Sequence, residues 1–232
     1  MPTSKNKKVV GIIGGMGPLA TIELQRFILE YTPARRDQDH IQVIIHNNPQ
    51  IPDRTLSLLE NGGESFIKEV VATGKKLIES GATVLCMPCS TAHARFREIQ
   101  SQLSKPLIDM VKLTVDEITN RQLSQPIIIL ATDGSIKEKV FTATFTKNRI
   151  SYILPNIIEQ KKIMKIIYDI KAGKKTSLVK SLRNFIKKKN LTDSCSVLLG
   201  CTELGLCENE LQDIGVPLIN PLRILGRYIA QY

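Results

Sequence analysis

Two passages of this 232-residue chain read as copies of one another, and that duplication constrains the fold more than any other feature. Thr83-Val84-Leu85 leads into Pro88-Cys89-Ser90-Thr91, and Ser196-Val197-Leu198-Leu199 leads into Gly200-Cys201-Thr202-Glu203. Each is an apolar, β-branched run that stops at a cysteine followed by a hydroxyl residue. A short apolar run bounded by turn residues is the pattern of a strand covered on both faces. Ligands of open α/β sheets bind beyond the carboxyl ends of the strands. The duplication therefore predicts two related halves, each offering a thiol at the rim of its sheet.

The repeat extends outward from the cysteines. Lys8 to Ile13 is expected as a strand, then a glycine-rich turn and a helix from about Ala20 to Glu30. Ile127 to Leu130 is the matching strand, followed by Thr132-Asp133-Gly134-Ser135 and a helix through Phe145. Second strands fall at Ile41 to Ile45 and at Ser151 to Leu154. Phe66, Ile67, Val70, Val71, Leu77 and Ile78 make one apolar stripe at helical spacing, closed by Gly81 as a C-cap. Pro106-Leu107-Ile108-Asp109 and Pro217-Leu218-Ile219-Asn220 read as short strands, each followed by an amphipathic helix. Strands alternating with helices imply parallel sheets. The expected class is α/β, with two pseudo-symmetric lobes, each a small doubly wound parallel sheet flanked by helices, and the active site in the cleft between them. The expected boundaries are 1–112 for the first lobe, carrying Cys89, and 113–210 for the second, carrying Cys201. Residues 211–232 form a terminal strand and helix that packs back on the first lobe.

Composition narrows the setting. Hydrophobic residues at 42% and charged residues at 23% are ordinary for a soluble globular protein, and no apolar run reaches the roughly 18–20 residues of a membrane helix. Lys5 to Lys8 ahead of Val9-Val10-Gly11-Ile12-Ile13 superficially resembles a secretory signal, but Gly14, Gly15, Gly17 and Pro18 interrupt it. Five cysteines do not make a disulfide framework, so a reducing, cytoplasmic location is expected. The formal net charge of +10 is concentrated: residues 161–189 hold eleven Lys/Arg and one acid, Asp169, so the remainder is neutral. Ile163, Ile166, Ile167 and Ile170 recur at helical spacing there, which reads as the core side of a helix whose lysines face water. Tyr168 and Phe185 alone make a poor stacking platform, and no nucleic-acid or membrane partner is expected.

The matched thiols, Cys89 and Cys201, are the candidate acid/base pair. A thiolate is a competent base and a thiol a competent acid, with a free pKa of about 8.5. Facing one carbon from opposite sides, two thiols could remove a proton from one face and return one to the other. The hydroxyls of Ser90, Thr91 and Thr202 could bind a carboxylate whose charge grows as its α-carbon is deprotonated. Cys195 and Cys207 read as core. Cys86-Met87-Pro88-Cys89 is formally a C-x-x-C, but Cys86 belongs to the apolar strand, so neither redox chemistry nor a metal site is expected. Gly15-Met16-Gly17-Pro18-Leu19-Ala20 matches a dinucleotide fingerprint, yet the next strand ends Ile45-His46-Asn47-Asn48 without the acid that would hold a ribose. That turn can still hold a small anion such as an amino-acid carboxylate. Arg54, at the end of the stiff loop from Asn47, reads equally as a carboxylate fork or as a surface arginine. His93, four residues past Cys89, could tune the thiol or contact substrate.

Taken together, Gly14-Gly15-Met16-Gly17-Pro18, Asn47-Asn48-Pro49 with Asp53-Arg54-Thr55, Pro88-Cys89-Ser90-Thr91-Ala92-His93 and Leu199-Gly200-Cys201-Thr202-Glu203 resemble the cofactor-independent aspartate/glutamate racemases. The resemblance implies that Cys89 and Cys201 each serve one enantiomer of an acidic amino acid, aspartate before glutamate, with no cofactor. It further implies substrate contacts from Met16, Asn47, Arg54, Ser90, Thr91, Lys171 and Thr202, with Gly15, His93 and Glu203 in support, and a homodimer. Glu203 stands where the cell-wall glutamate racemases usually carry His, which points to the aspartate branch. Ser90 stands where that branch usually carries Asn. Within the superfamily, a decarboxylase, a maleate-type isomerase or a hydantoin racemase is the alternative. Outside it, the alternative is a non-catalytic carboxylate- or nucleic-acid-binding protein.

Overall fold

The computed structural model describes residues 8–189 and 195–232. Among them, seven strands form two all-parallel sheets. The first contains β1 (Val9–Gly14), β2 (Gln42–Asn47) and β3 (Val84–Cys86) in the order β2-β1-β3. The second contains β4 (Ile127–Leu130), β5 (Tyr152–Ile153), β6 (Ser196–Leu199) and β7 (Leu218–Ile219) in the order β5-β4-β6-β7. The first, second and third strands of each half occupy the same places, so the duplicated sequence is a duplicated sheet. The strand expected at Pro106 to Asp109 is reduced to a single parallel bridge, Leu85 to Leu107, made by Leu85 N–H to Pro106 O and Ile108 N–H to Leu85 O. Its counterpart in the second half, β7, pairs with β6 over two residues.

Parallel neighbours need a crossover, and helices supply it. The first half runs through α1 (Pro18–Tyr31), α2 (Arg54–Asn61), α3 (Glu64–Glu79) and α4 (Phe96–Ser101) to α5 (Met110–Asn120). The stripe on α3 is buried at Phe66, Val70, Val71 and Leu77. Ser80 is its cap, and Gly81, at φ +103°, lies one residue further on, where Ala82 N–H returns to Leu77 O. The helix expected to run through Phe145 is two pieces, α6 (Asp133–Lys137) and α7 (Thr142–Lys147). Lys139 takes a left-handed φ of +55° and Val140 N–H turns back to Ser135 O, which ends the first piece. Next come α8 (Ile157–Lys171), α9 (Lys175–Lys188), α10 (Thr202–Gly205), α11 (Glu208–Leu211) and α12 (Pro221–Ile229).

The continuous apolar runs of β4 and β6 follow from burial on both faces. Ile128, Leu130, Val197 and Leu199 join a core with Ile163, Ile166, Ile167 and Ile170 of α8. Ile127, Ile129 and Leu198 point the other way, into a core with Val111, Val115 and Ile118 of α5 and with Phe141 and Phe145. Each fully buried Leu, Ile or Phe stabilises the fold by roughly 1.5–3 kcal/mol. By contact, the chain divides into two compact units. The first draws on the chain up to Pro88, Arg95–Asp109 and Leu225–Tyr232; the second draws on Cys89–Ala94 and Met110–Ile224. In the first unit the end of α12 lies so close to α1 that a Cβ on Gly226 would stand 2.5 Å from Phe27 Cβ. No helix among the described residues is long and apolar enough to cross a membrane.

Candidate active site

In the first unit, three of the sequence motifs are drawn together at the carboxyl end of β1. Gly14 pairs with Asn47 across the sheet, and Asn48 N–H donates to Gly14 O at 3.2 Å. Gly15 follows at φ +96°, where a Cβ would lie 2.2 Å from Asn48 O, so only glycine lets the turn meet the loop. The Gly15 N–H is held by Thr21 Oγ1 at 3.0 Å. Met16 places its side chain in the core and presents its carbonyl, while Asn47 is exposed.

That carbonyl accepts from Arg54. Asp53 caps α2 by accepting from Leu56 N–H at 3.0 Å, and Arg54 is the first helical residue. Its Nη2 donates to Met16 O at 3.0 Å, and Nη1 donates to Ile51 O at 3.1 Å and Pro52 O at 2.9 Å. Arg54 is 7% exposed, which rules out the surface-arginine reading. Its buried Nε has no hydrogen-bond partner, and among the described residues no carboxylate pairs with the guanidinium. A buried cation satisfied only by carbonyls retains its charge for an anion.

Past β3, the segment Cys89–Ala94 counts with the second unit. Cys89, Ser90, Thr91 and His93 are all buried. Thr91 Oγ1 shares a hydrogen bond of 2.9 Å with Thr132 Oγ1, which also accepts from Ser135 N–H at 3.1 Å as the cap of α6. Ser90 Oγ is buried without a partner. Met110 N–H donates to His93 Nε2 at 3.2 Å, so the proton sits on Nδ1, which reaches Cys89 O at 2.8 Å. These bonds tie His93 to the Cys89 carbonyl, so its place is that of a staple on the thiol-bearing turn.

Cys201 follows β6 and is the N-cap residue of α10. Gly200 before it lies against β4, where a Cβ would meet Leu130 O at 3.1 Å and Ala131 Cβ at 3.2 Å. The Cys201 thiol donates to Glu203 Oε2 at 2.9 Å, and Thr202 Oγ1 donates to the same oxygen at 3.3 Å. All three residues are buried. Burial first, then the Glu203 charge, pushes the Cys201 thiol well above its ordinary range, while the Lys171 charge pulls it back. Lys171, the last residue of α8, is partly buried and holds its Nζ 5.4 Å from the Tyr168 ring. The lysine singled out from sequence thus acts electrostatically on the second thiol. Cys86 is pushed far up by burial alone, and Cys195 and Cys207 lie in the core. All five cysteines are free thiols.

Thr132, which holds the Thr91 hydroxyl, is not among the residues singled out from the sequence. Its signal was positional: it opens the turn after β4, the place that Gly15 and Met16 occupy after β1.

Two duplicated parallel sheets, with buried thiols just past β3 and β6 and acid or hydroxyl groups beside them, make an α/β fold that carries candidate acid/base groups at matched positions. The model of the Asp/Glu/hydantoin racemase family matches residues 13–229, and the chain belongs to that family. It is accordingly an isomerase, a racemase by family. It is 23% identical over 225 residues to the broad specificity amino-acid racemase RacX of Bacillus subtilis, a match covering 94% of this chain and 95% of the relative. Among solved structures, the Picrophilus torridus aspartate racemase is 26% identical, with a TM-score of 0.84 over 97% of this chain and 93% of the other. An aspartate racemase homologue from Pyrococcus horikoshii OT3 shares the fold at 21% identity, with a TM-score of 0.71 over 97% and 98% of the two chains.

Proposed function

We propose that the protein racemises an acidic amino acid, aspartate in preference to glutamate, by a two-base mechanism through Cys89 and Cys201 with no cofactor. The observation that carries this reading is the buried Cys201–Glu203 pair at the end of β6, a thiol held protonated beside a carboxylate. In one direction the Cys89 thiolate takes the α-proton and the Cys201 thiol delivers its own to the opposite face. The Cys201 thiolate and the Cys89 thiol then stand ready for the reverse direction. No net proton is gained or lost. Arg54, through its unfilled Nε, binds a substrate carboxylate, and Lys171 binds the other. Ser90, Thr91 and Thr202 donate to the carboxylate beside the reacting carbon, where charge grows as the proton leaves.

The aspartate preference is supported by Glu203 and by similarity to a protein described as an aspartate racemase. A cytoplasmic location is consistent with five free thiols. Leu19, Ile22 and Leu29 of α1, each half-exposed or more, are compatible with burial in a homodimer.

The test is proton NMR in D2O on the reduced protein with L-Asp, D-Asp, L-Glu and D-Glu in turn, beside Cys89→Ala and Cys201→Ala. Loss of the α-proton signal from both enantiomers of aspartate, with racemisation abolished in both variants, is the expected result. Full racemisation by either variant would sink the two-base mechanism, and a response from glutamate alone would overturn the substrate preference.

A further inference from the structure

Apart from Lys171, the basic segment takes no part in the racemase reading, and its geometry is not that of a uniform solvated surface. In the second unit, α8 and α9 enclose a groove of about 560 Å³ lined by Glu159, Lys162, Ser181, Asn184, Phe185 and the pair Lys188 and Lys189. That volume suits a small organic ligand. Asn156 and Glu159 cap α8 reciprocally: Glu159 N–H donates to Asn156 Oδ1 and Asn156 N–H to Glu159 Oε2, each at 2.9 Å. Lys189 Nζ pairs with Glu159 at 2.7 Å and lies 5.9 Å from the Phe185 ring. The Lys189 bond, the capping N–H and the charges of Lys189 and Lys188 hold the Glu159 carboxyl below its ordinary range.

One carboxylate thus faces three ammonium groups. Elsewhere along the segment some cations find acids: Lys165 and Lys174 share Asp169, and Arg183 reaches Asp213 at 3.0 Å. Lys162 and Lys188 line the groove with no carboxylate partner among the described residues. Like charges gathered around a concavity repel one another and raise the local concentration of anions. Ser181 and Asn184 add neutral hydrogen-bonding groups, and Phe185 adds an aromatic ring.

We infer that this groove binds a small organic phosphate, with its phosphates on Lys162 and Lys188 and a planar ring against Phe185. Two ammonium groups without carboxylate partners match the charge of a diphosphate, and each charge-assisted contact is stronger than a neutral one. A single aromatic ring suits one base or similar ring, whereas a nucleic-acid strand is held by successive stacking rings. The site stands apart from the two thiols, so it can be tested without any assay of racemisation.

The experiment is titration calorimetry of the full chain with ADP, pyrophosphate and a 20-nucleotide single-stranded DNA, at two salt concentrations. The double variant Lys162→Glu/Lys188→Glu is compared with Lys161→Glu/Lys180→Glu, which carries the same charge change on exposed lysines outside the groove. All four positions are exposed, and circular dichroism checks that each variant folds. The expected result is one ADP site, tighter than pyrophosphate, weakened about tenfold or more by the groove variant and about threefold or less by the control. No ADP binding, or equal loss in the two variants, overturns the site. Pyrophosphate binding as tightly as ADP overturns the role of Phe185. DNA binding far more tightly than ADP, with a steep salt dependence, makes the segment a polyanion surface instead.

Discussion

The thiol of Cys201 is bound to the carboxylate of Glu203, Sγ to Oε2, at 2.9 Å, in a place where neither group reaches bulk water. Burial opposes ionisation of the thiol, and the carboxylate beside it opposes it further. Glu203→Gln removes the charge and keeps the shape. The Cys201 pKa then moves down, and the limb of the pH–rate profile that follows Cys201 ionisation moves to lower pH in the direction requiring its thiolate. An unmoved limb would show that Glu203 does not act on the thiol.

Arg54 spends three hydrogen bonds on the carbonyls of Met16, Ile51 and Pro52, which joins the turn after β1 to the start of α2. Lysine cannot reproduce that fork. Arg54→Lys should lower stability by about 1–3 kcal/mol, the penalty for leaving buried carbonyls unpaired. It should also raise KM for the acidic substrate several-fold. Urea unfolding and steady-state kinetics on one preparation check both.

Ser90 offers a cleaner separation of folding from binding, because its buried hydroxyl has no partner in the free protein. Ser90→Ala therefore leaves stability unchanged to within about 0.5 kcal/mol. If the hydroxyl serves the substrate, KM or kcat suffers all the same. Unchanged kinetics would remove Ser90 from the site.

Gly15→Ala tests the contact between the glycine turn and the Asn48 loop. Its Cβ would stand 2.2 Å from a backbone oxygen at φ +96°, so the turn or the loop must move. The expected destabilisation is at least about 2 kcal/mol by chemical denaturation. The control Gly62→Ala has a positive φ but open space around it, and should be milder.

Cys86 makes stability fall with alkali. Its folded pKa is raised by burial, so pH changes nothing below the ordinary thiol value of about 8.5, where both states hold the proton. Above it the unfolded chain ionises while the folded thiol does not, and stability drops by up to about 1.4 kcal/mol per pH unit. In Cys86→Ala, unfolding measured from pH 7.5 to 10 should show a flatter slope, whatever the offset from the lost sulfur.

The repeat and the parallel strands were legible, and the two candidate cysteines stood out, because each depends on local pattern: an apolar run, a turn and a chemically distinctive residue at its end. The strand at Ile127–Leu130 and the stripe on α3 fell where periodicity placed them. The helix through Phe145 did not, since a left-handed Lys139 has no sequence mark as plain as glycine. The strand at Leu107 shrank to one bridge, because strand length depends on what a neighbour offers.

Sequence alone therefore determined the class of the protein, its duplicated architecture and which residues are candidates for its chemistry. The tertiary structure decided the state of each. Arg54 became a buried cation, His93 a staple on the Cys89 carbonyl, and Cys201 a thiol kept protonated by burial and by Glu203. It also made Thr132 a partner of Thr91 across forty-one positions of chain. Burial, hydrogen-bond partners and local charge set how a side chain ionises and what it holds, and these arise only when distant segments pack together.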